Sequence, residues 1–400
     1  MIGKFAIRNI RRNKKRSLIS ASSVFAGALF LGLAYGFING MVDFMMEGFI
    51  KYQTGHIRIT TEAFEEREKF FPVDEVIYDS ARYVEKIRQI KHVDKVEEII
   101  RFGILLGKED STVQAVGMAT DINTSHFNIP EKITEGSVQS EGLYLGIRLA
   151  EKLKIKVGEE ILIAAKTSEG GLNGIKLPVA GIVKMGVGSL DERFFFLSPN
   201  DARKLLKINK GTTEIYVYLK NADIVDEVHA EIAGFLDPGI KASTFKEQLG
   251  GLYTYIEAVK YIYGFIEMTI LFLASFVIIN TMIMAIFERM REIGTMKALG
   301  MNEKELFWLF TSEGALIGLI GGIPGAALGF IIVLLLGQTG INFEQMLGAI
   351  EFPVEYVIYP AVAWWHIFIV LGMAMVVPTI AAMIPARYVK RYLPADALRM

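Results

Sequence analysis

Two apolar runs, residues 262–287 and 314–336, are separated by little more than one charged insert, ERMREIGTMKALG at 288–300. About 20 apolar residues in a helix span the roughly 30 Å hydrocarbon core of a bilayer. Unpaired charge at bilayer depth is costly, so the insert must lie outside the hydrocarbon while its flanks lie within it. Runs 18–40 and 364–384 are long enough by the same measure. The expected fold is an α-helical integral membrane protein with four transmembrane helices. Residues 41–260 have ordinary soluble composition and are numerous enough to bury their own core. At 52% hydrophobic, the 400 residues are together too apolar for a soluble protein of this charge content.

Orientation follows from basic residues beside the spans. Lys4, Arg8, Arg11, Arg12, Lys14, Lys15 and Arg16 precede the first run with no acidic residue among them. Arg289, Arg291, Lys297 and Lys304 lie between runs two and three, and Arg387, Lys390, Arg391 and Arg399 follow the last. The opposite short loop carries Glu344, Glu351 and Glu355 and neither Lys nor Arg. Both termini are therefore expected in the cytoplasm, with the large domain outside. The first apolar run is longer than a signal-peptide core and lacks a cleavage site, so it reads as an uncleaved anchor. Phe5, Ile7 and Ile10 alternate with cations, as in an amphipathic helix on the inner leaflet. With no cysteine, the outer domain folds without disulfides.

That domain reads as α+β. Strands are expected at 56–60, 97–106, 112–117, 160–165, 177–184, 194–197 and 214–219, with a hairpin turn at 170–174. Val84, Ile87 and Ile90 have helical spacing within 79–92, and further helices are expected at 145–153 and 223–235. Ser198 caps a helix over 199–206 that has Pro199 at its first position. Residues 244–287 read as one unbroken helix, a stalk continuing into the second span.

Enzyme motifs are missing. There is no G-x-x-x-x-G-K-S/T phosphate loop, no HExxH, no G-x-S-x-G and no thiol, and the five histidines are scattered. Catalysis, cofactor and metal sites are not expected, and neither is nucleic-acid binding. Any energy must come from a partner. Gly314, Gly318 and Gly322 are four apart, as are Gly321, Gly325 and Gly329. These small-xxx-small stripes allow close approach of another helix, within the protomer or across a dimer. Pro324 should kink this helix or open its ladder. Glu313 and Glu267 stand at span margins as candidate functional carboxylates, Glu313 at the cytoplasmic mouth. Phe352, Tyr356, Tyr359, Trp364 and Trp365 read as an interfacial belt.

Asn302 followed by Glu305 forms a capping-box signal for a surface helix over EKELFWLF. Glu288, Arg289, Arg291 and Glu292 are spaced to pair on a helix. An ordered, mixed-charge helical hairpin over 288–310 is more than a topological loop needs, and it suggests docking to another protein.

ERMREIGTMKALGMNEKEL resembles the "E-R-x-x-E-I-G-x-(L/M)-(R/K)-A-(L/I)-G" motif of the FtsX/MacB/Lol permease family, the membrane half of certain ABC transporters. TSEGALIGLIGGIPGAALGF resembles the segment that follows that motif, and PARYVKRYLPADALRM the family's C-terminal close. EGLYLGIRLAEKLKIKVGEEILIA and LPVAGIVKMGVGSLDERFFFLSPNDARKLL look like segments of the Lol and MacB outer domains, with Leu149, Leu153, Val157 and Gly158 in structural roles. The resemblance implies a MacB-like periplasmic domain at 41–260 and a coupling helix at 288–310 for a cytoplasmic ABC ATPase. The coupling residues would be Glu288, Arg289, Arg291, Glu292, Gly294, Lys297, Ala298, Leu299, Gly300, Asn302 and Glu305, with ATP and Mg held by the ATPase. Gly314, Gly318, Gly322, Gly325 and Gly329 would pack helices. The implied layout is 1–17 cytoplasmic segment, 18–40, 261–287, 311–337 and 364–386 spans, 338–363 outer loop and 387–400 cytoplasmic tail. It also implies a homodimer or heterodimer with a second permease. The closest likeness is to the lipoprotein-releasing branch, with a lipoprotein substrate and a periplasmic carrier. The alternatives are MacB-like efflux of drugs or peptides, and FtsX-like signalling to a cell-wall hydrolase.

Overall fold

A computed structural model describes residues 2–12, 14–108, 111–138, 141–343, 357–362 and 364–389. The expectations placed on Glu344, Glu351, Phe352, Glu355, Tyr356, Lys390, Arg391 and Arg399 lie outside these residues. So does the side chain of Glu267. The chain forms two compact units: Met1–Val42, Tyr255–Ile341 and Ile358–Met400 make one, Asp43–Thr254 and Asn342–Val357 the other.

The first unit is helical. It contains the short helix Ile2–Arg12, most of Lys14–Phe49, nearly all of Gly251–Glu288, then Glu303–Thr339 and Trp364–Val389. Among the described residues, three stretches are long and apolar enough to cross a membrane: Ser17–Thr54, Glu303–Thr339 and Trp364–Arg387. The fourth expected span, 261–287, falls in Gly251–Glu288, several of whose side chains are not described, and it stays an expectation. Glu303–Thr339 corrects the sequence reading, because the expected surface helix and the third span are one helix. No breaker separates them, and an interior glycine such as Gly314 costs only about 1 kcal/mol.

The two glycine stripes on this helix face different neighbours inside the protomer. A methyl on Gly321, Gly325 or Gly329 would run into the backbone carbonyls of Ala21, Phe25 and Leu29, respectively. The carbonyls are four residues apart, matching the glycines, so the two backbones run parallel in direct contact. On the other stripe, Gly314 meets Ala382, Gly318 the carbonyl of Ala374 and Gly322 the Ala374 side chain. Here the numbers run in opposite senses, so Trp364–Val389 is antiparallel. Pro378 has no N–H, which leaves the Ala374 carbonyl, four residues earlier, without its helical donor. Gly318 leaves room beside that carbonyl, where a Cβ would come within 2.6 Å of it.

The second unit is a ten-stranded α+β domain. Its strands are β1 Ile57–Thr61, β2 Val93–Lys108, β3 Ser111–Ala119, β4 Ile133–Gly136, β5 Leu143–Gly146, β6 Glu160–Lys166, β7 Leu172–Val183, β8 Phe194–Leu197, β9 Glu214–Leu219 and β10 Ile240–Thr244. The first half of β2 pairs with β9, and β9, β1 and β10 continue an open antiparallel sheet. Its second half enters a closed circuit, β2–β3–β8–β5–β7–β6 and back to β2. Phe102, Ile104, Leu106, Leu145, Ile163 and Phe195 fill that barrel, joined by Leu149 and Leu153 from helix Ile147–Leu153. Gly158 sits at φ +87, where a side chain is strained. Ser198 caps Pro199–Leu206 as its sequence demands, accepting from the Asp201 N–H.

Strands β4, β5 and β10 were not legible in the sequence. The expected single helix over 244–287 is also corrected. Thr244 caps a short helix, Phe245–Leu249, through a capping box. Gly250, at φ +48, then separates it from Gly251–Glu288. At the other junction, Lys14–Phe49 passes into a single π-helical turn, Ile50–Thr54. Tyr216 Oη donates to the Gln53 carbonyl at 2.5 Å and Tyr218 Oη to the Lys51 carbonyl at 3.1 Å.

A buried charge cluster lies in the open sheet. Glu214 accepts from Arg101 Nε at 3.1 Å and Nη2 at 3.0 Å, and from Arg58 Nη1 at 3.5 Å. Glu68 accepts from both arginines at the margin. Two arginines and two glutamates cancel, which is the condition for burying such charge.

Candidate coupling site

The segment 288–310 is a corner between two helices, and its sequence specifies the turn residue by residue. Gly251–Glu288 ends where Arg289 leaves helical geometry (φ −107, ψ 15), and a new helix runs Met290–Ala298. That helix closes with a Schellman motif: Met301 N–H donates to the Met296 carbonyl and Gly300 N–H to Lys297, both at 3.0 Å. Gly300 sits at φ +94, the left-handed position this motif reserves for glycine. Two residues later Asn302 starts the next helix. Its Oδ1 accepts from Lys304 N–H at 2.8 Å, and its own N–H donates to Glu305 Oε2 at 2.9 Å. Stop and start signals thus occupy consecutive residues from Gly300 to Glu305, which fixes the corner's shape.

The residues expected to contact an ATPase divide into two sets. Glu288, Arg291, Ala298, Leu299, Gly300, Asn302 and Glu305 are exposed, and Leu299 is 83% exposed. Trp308, one turn into the next helix, is also exposed, a surface residue the sequence reading did not single out. Lys297 is half-buried. The second set turns inward. Gly294 is buried beside Met290 and Ile293. Arg289 is only 7% exposed and donates to Glu292 at 3.1 Å and to Glu313 at 3.4 Å. Burial works to raise the Glu292 pKa, but hydrogen bonds from Arg12 and Arg289 outweigh it and hold the carboxylate below its usual range. Glu313, expected at a span margin, is buried and also accepts from Asn9. Arginine and glutamate numbers alone could not separate these sets, because the split depends on where the helix breaks at Arg289.

Among the described residues no group of His, Asp or Glu could hold a metal ion. Membrane-length apolar helices with a large mixed domain inserted after the first describe an integral membrane protein. The FtsX-like permease C-terminal model matches residues 264–394, and the MacB-like periplasmic core domain model matches residues 17–235. The chain belongs to the FtsX/MacB family of ABC transporter permeases, the transmembrane component of such systems. It is 22% identical over 317 residues to the lipoprotein-releasing system transmembrane protein LolC of Xylella fastidiosa, covering 74% of this chain and 75% of that one. An uncharacterized ABC transporter permease of Methanocaldococcus jannaschii is 26% identical over 425 aligned positions, covering 99% and 96%. The periplasmic region of MacB from Actinobacillus actinomycetemcomitans is similar over 51% of this chain and 95% of its own, at 9% identity and a TM-score of 0.36.

Proposed function

We propose that this permease couples ATP hydrolysis by a separate cytoplasmic ATPase to rearrangement of its extracytoplasmic domain, and that the work releases lipoproteins from the membrane. The observation that carries the coupling is the corner at 299–308. Leu299 and Trp308 stand exposed on a turn whose conformation is fixed on both sides by capping. An exposed leucine on a rigid turn suits a groove in a partner, because little ordering entropy is lost on docking. The ATPase would hold ATP and Mg. Two permease copies, identical or different, would face two ATPase copies.

The likeness to LolC supports lipoprotein as cargo. Transfer of acyl chains into water costs about 0.8 kcal/mol per methylene, so extraction of several chains needs both an apolar path and an energy source. A periplasmic carrier would then accept the product.

The test is purification in mild detergent followed by ATPase assay. A copurifying ATPase stimulated by a triacylated lipoprotein, but not by its unacylated form, is expected. Leu299→Asp should weaken ATPase association about tenfold without altering the fold. Stimulation by drugs or peptides instead would move the reading to efflux. Full activity without any added cargo would move it to transmembrane signalling, and absence of a copurifying ATPase would overturn the coupling.

A further inference from the structure

The helix Ile2–Arg12 is not a span, and the functional reading gives it no task beyond lying at the membrane surface. Its side chains nevertheless reach both carboxylates on the inner side of the corner. Asn9 Nδ2 donates to Glu313 Oε1 at 2.6 Å, and Arg12 pairs with Glu292. Arg289 joins those two carboxylates, giving Nε to Glu292 Oε2 at 3.1 Å and Nη1 to Glu313 Oε1 at 3.4 Å. The contacts run Asn9–Glu313–Arg289–Glu292–Arg12, so they begin and end on the same short helix. On the way they pass through the corner and the helix Glu303–Thr339.

We infer that Ile2–Arg12 is part of the coupling element, a latch that makes the corner, the start of Lys14–Phe49 and Glu303–Thr339 move as one body. The inference rests on the coupling proposed above. Arg289 leaves helical geometry without a side-chain cap, and without a brace a push on Leu299 would be absorbed by rotation there. The closed ring of contacts removes that freedom. Any displacement of Glu292 pulls on Arg12, which is one residue from Lys14–Phe49. Any displacement of Arg289 pulls on Glu313, which belongs to Glu303–Thr339. The same two long helices already share backbone contacts through Gly321, Gly325 and Gly329. The Arg289 and Glu313 side chains are each 8% exposed, so neither can leave the other without stranding a buried charge. Arg12 and Glu292 are 56% and 44% exposed, so their contact can be altered without threatening the fold. Arg289 and Glu313 are positioning residues here. They set where the docking surface stands and need not touch the ATPase.

The native chain lacks cysteine, which makes the test specific. Arg12→Cys with Glu292→Cys in the full-length chain in native membranes should form an intrachain disulfide on mild oxidation. In the complex with its copurified ATPase, Arg12→Gln and Glu292→Gln should each lower cargo-stimulated over basal hydrolysis about threefold, and the double variant should lose no more than the worse single one. The latch is overturned if the cysteine pair fails to close, or if the losses of the two single variants add in the double one. Unchanged stimulation in both single variants, with the ATPase still bound, overturns the latch and leaves the coupling reading standing. An unaltered chain that binds no ATPase brings down the coupling reading, and the latch with it.

Discussion

In the helical unit Ala21, Ala28, Ala326, Ala374, Ala381, Ala382 and Ala386 share the buried cluster with larger residues such as Leu31, Ile293, Leu306 and Phe310, and glycines lie at the helix contacts. In the sheet unit the buried clusters combine Ile, Val and Leu with the rings of Phe102, Phe127, Phe195, Phe196, Tyr144, Tyr216 and Tyr218. The difference follows the solvent each unit is built for. Between helices in lipid, burying a large side chain gains nothing over leaving it among acyl chains, so association relies on small residues that let backbones meet. In water each square ångström of apolar area removed contributes about 25 cal/mol, and aromatic rings remove the most. Polar groups are buried in both units. In the sheet unit Arg58 and Arg101 close on the buried Glu214, with the partly exposed Glu68 at the margin. In the helical unit carbonyls lie against glycine, and Arg289 pairs with Glu313.

The comparison breaks most sharply at Glu214. Glu214→Ala strands Arg58 and Arg101 without their carboxylate and should destabilise the sheet unit by about 3–5 kcal/mol. Urea unfolding followed by tyrosine fluorescence measures this, and a loss below about 1 kcal/mol would show the cluster is dispensable. Asp191 comes next. Burial raises its pKa from 3.8 to about 6, partly offset by hydrogen bonds from the Met185 and Gly186 N–H groups. The folded pKa lies above the unfolded one, so this carboxyl's contribution is fully present below about pH 4 and lost as pH rises to about 6, up to about 3 kcal/mol. Asp191→Asn should flatten that part of the thermal-unfolding profile between pH 4 and 7. In the helical unit, Gly325→Leu drives a side chain into the Phe25 carbonyl and should cost about 1–3 kcal/mol in detergent. Gly372→Leu enlarges a glycine in Trp364–Val389 with nothing within 4 Å and should be neutral. Equal effects from the two glycine variants would remove the case for backbone contact as the packing principle.

What could be read in advance follows from the same physics. Long apolar runs, the Ser198 and Asn302 caps and the alternation of β6 are local signals, and each appears where its residues stand. Strand β5, with all four residues buried, has no alternation to read, and its leucines continued the spacing of the next helix. Strand β10 is short and takes its identity from pairing with β1, a partner far away in sequence. At the corner, the turn itself was legible because Gly300 and Asn302 act locally. The inward turn of Arg289, Glu292 and Glu313 was not, because it depends on Asn9 and Arg12, nearly three hundred residues earlier in the chain. Asp191 acquires a physical reason only in three dimensions, where it accepts from the Met185 N–H.

The closed circuit of six strands has a consequence for a domain that must stay soluble without disulfides. Most of its backbone hydrogen-bonding capacity is spent internally, so a passing extended chain finds little to attach to. The sheet's open ends are β4, only four residues long, and β10, five residues long, where Lys241 is paired with Glu65 and the strand runs directly into the capping box at Thr244. A charged, short and abruptly terminated margin is a poor template for sheet growth. Partners of this domain are therefore expected to recognise side chains on its surface, and not to add a strand to it.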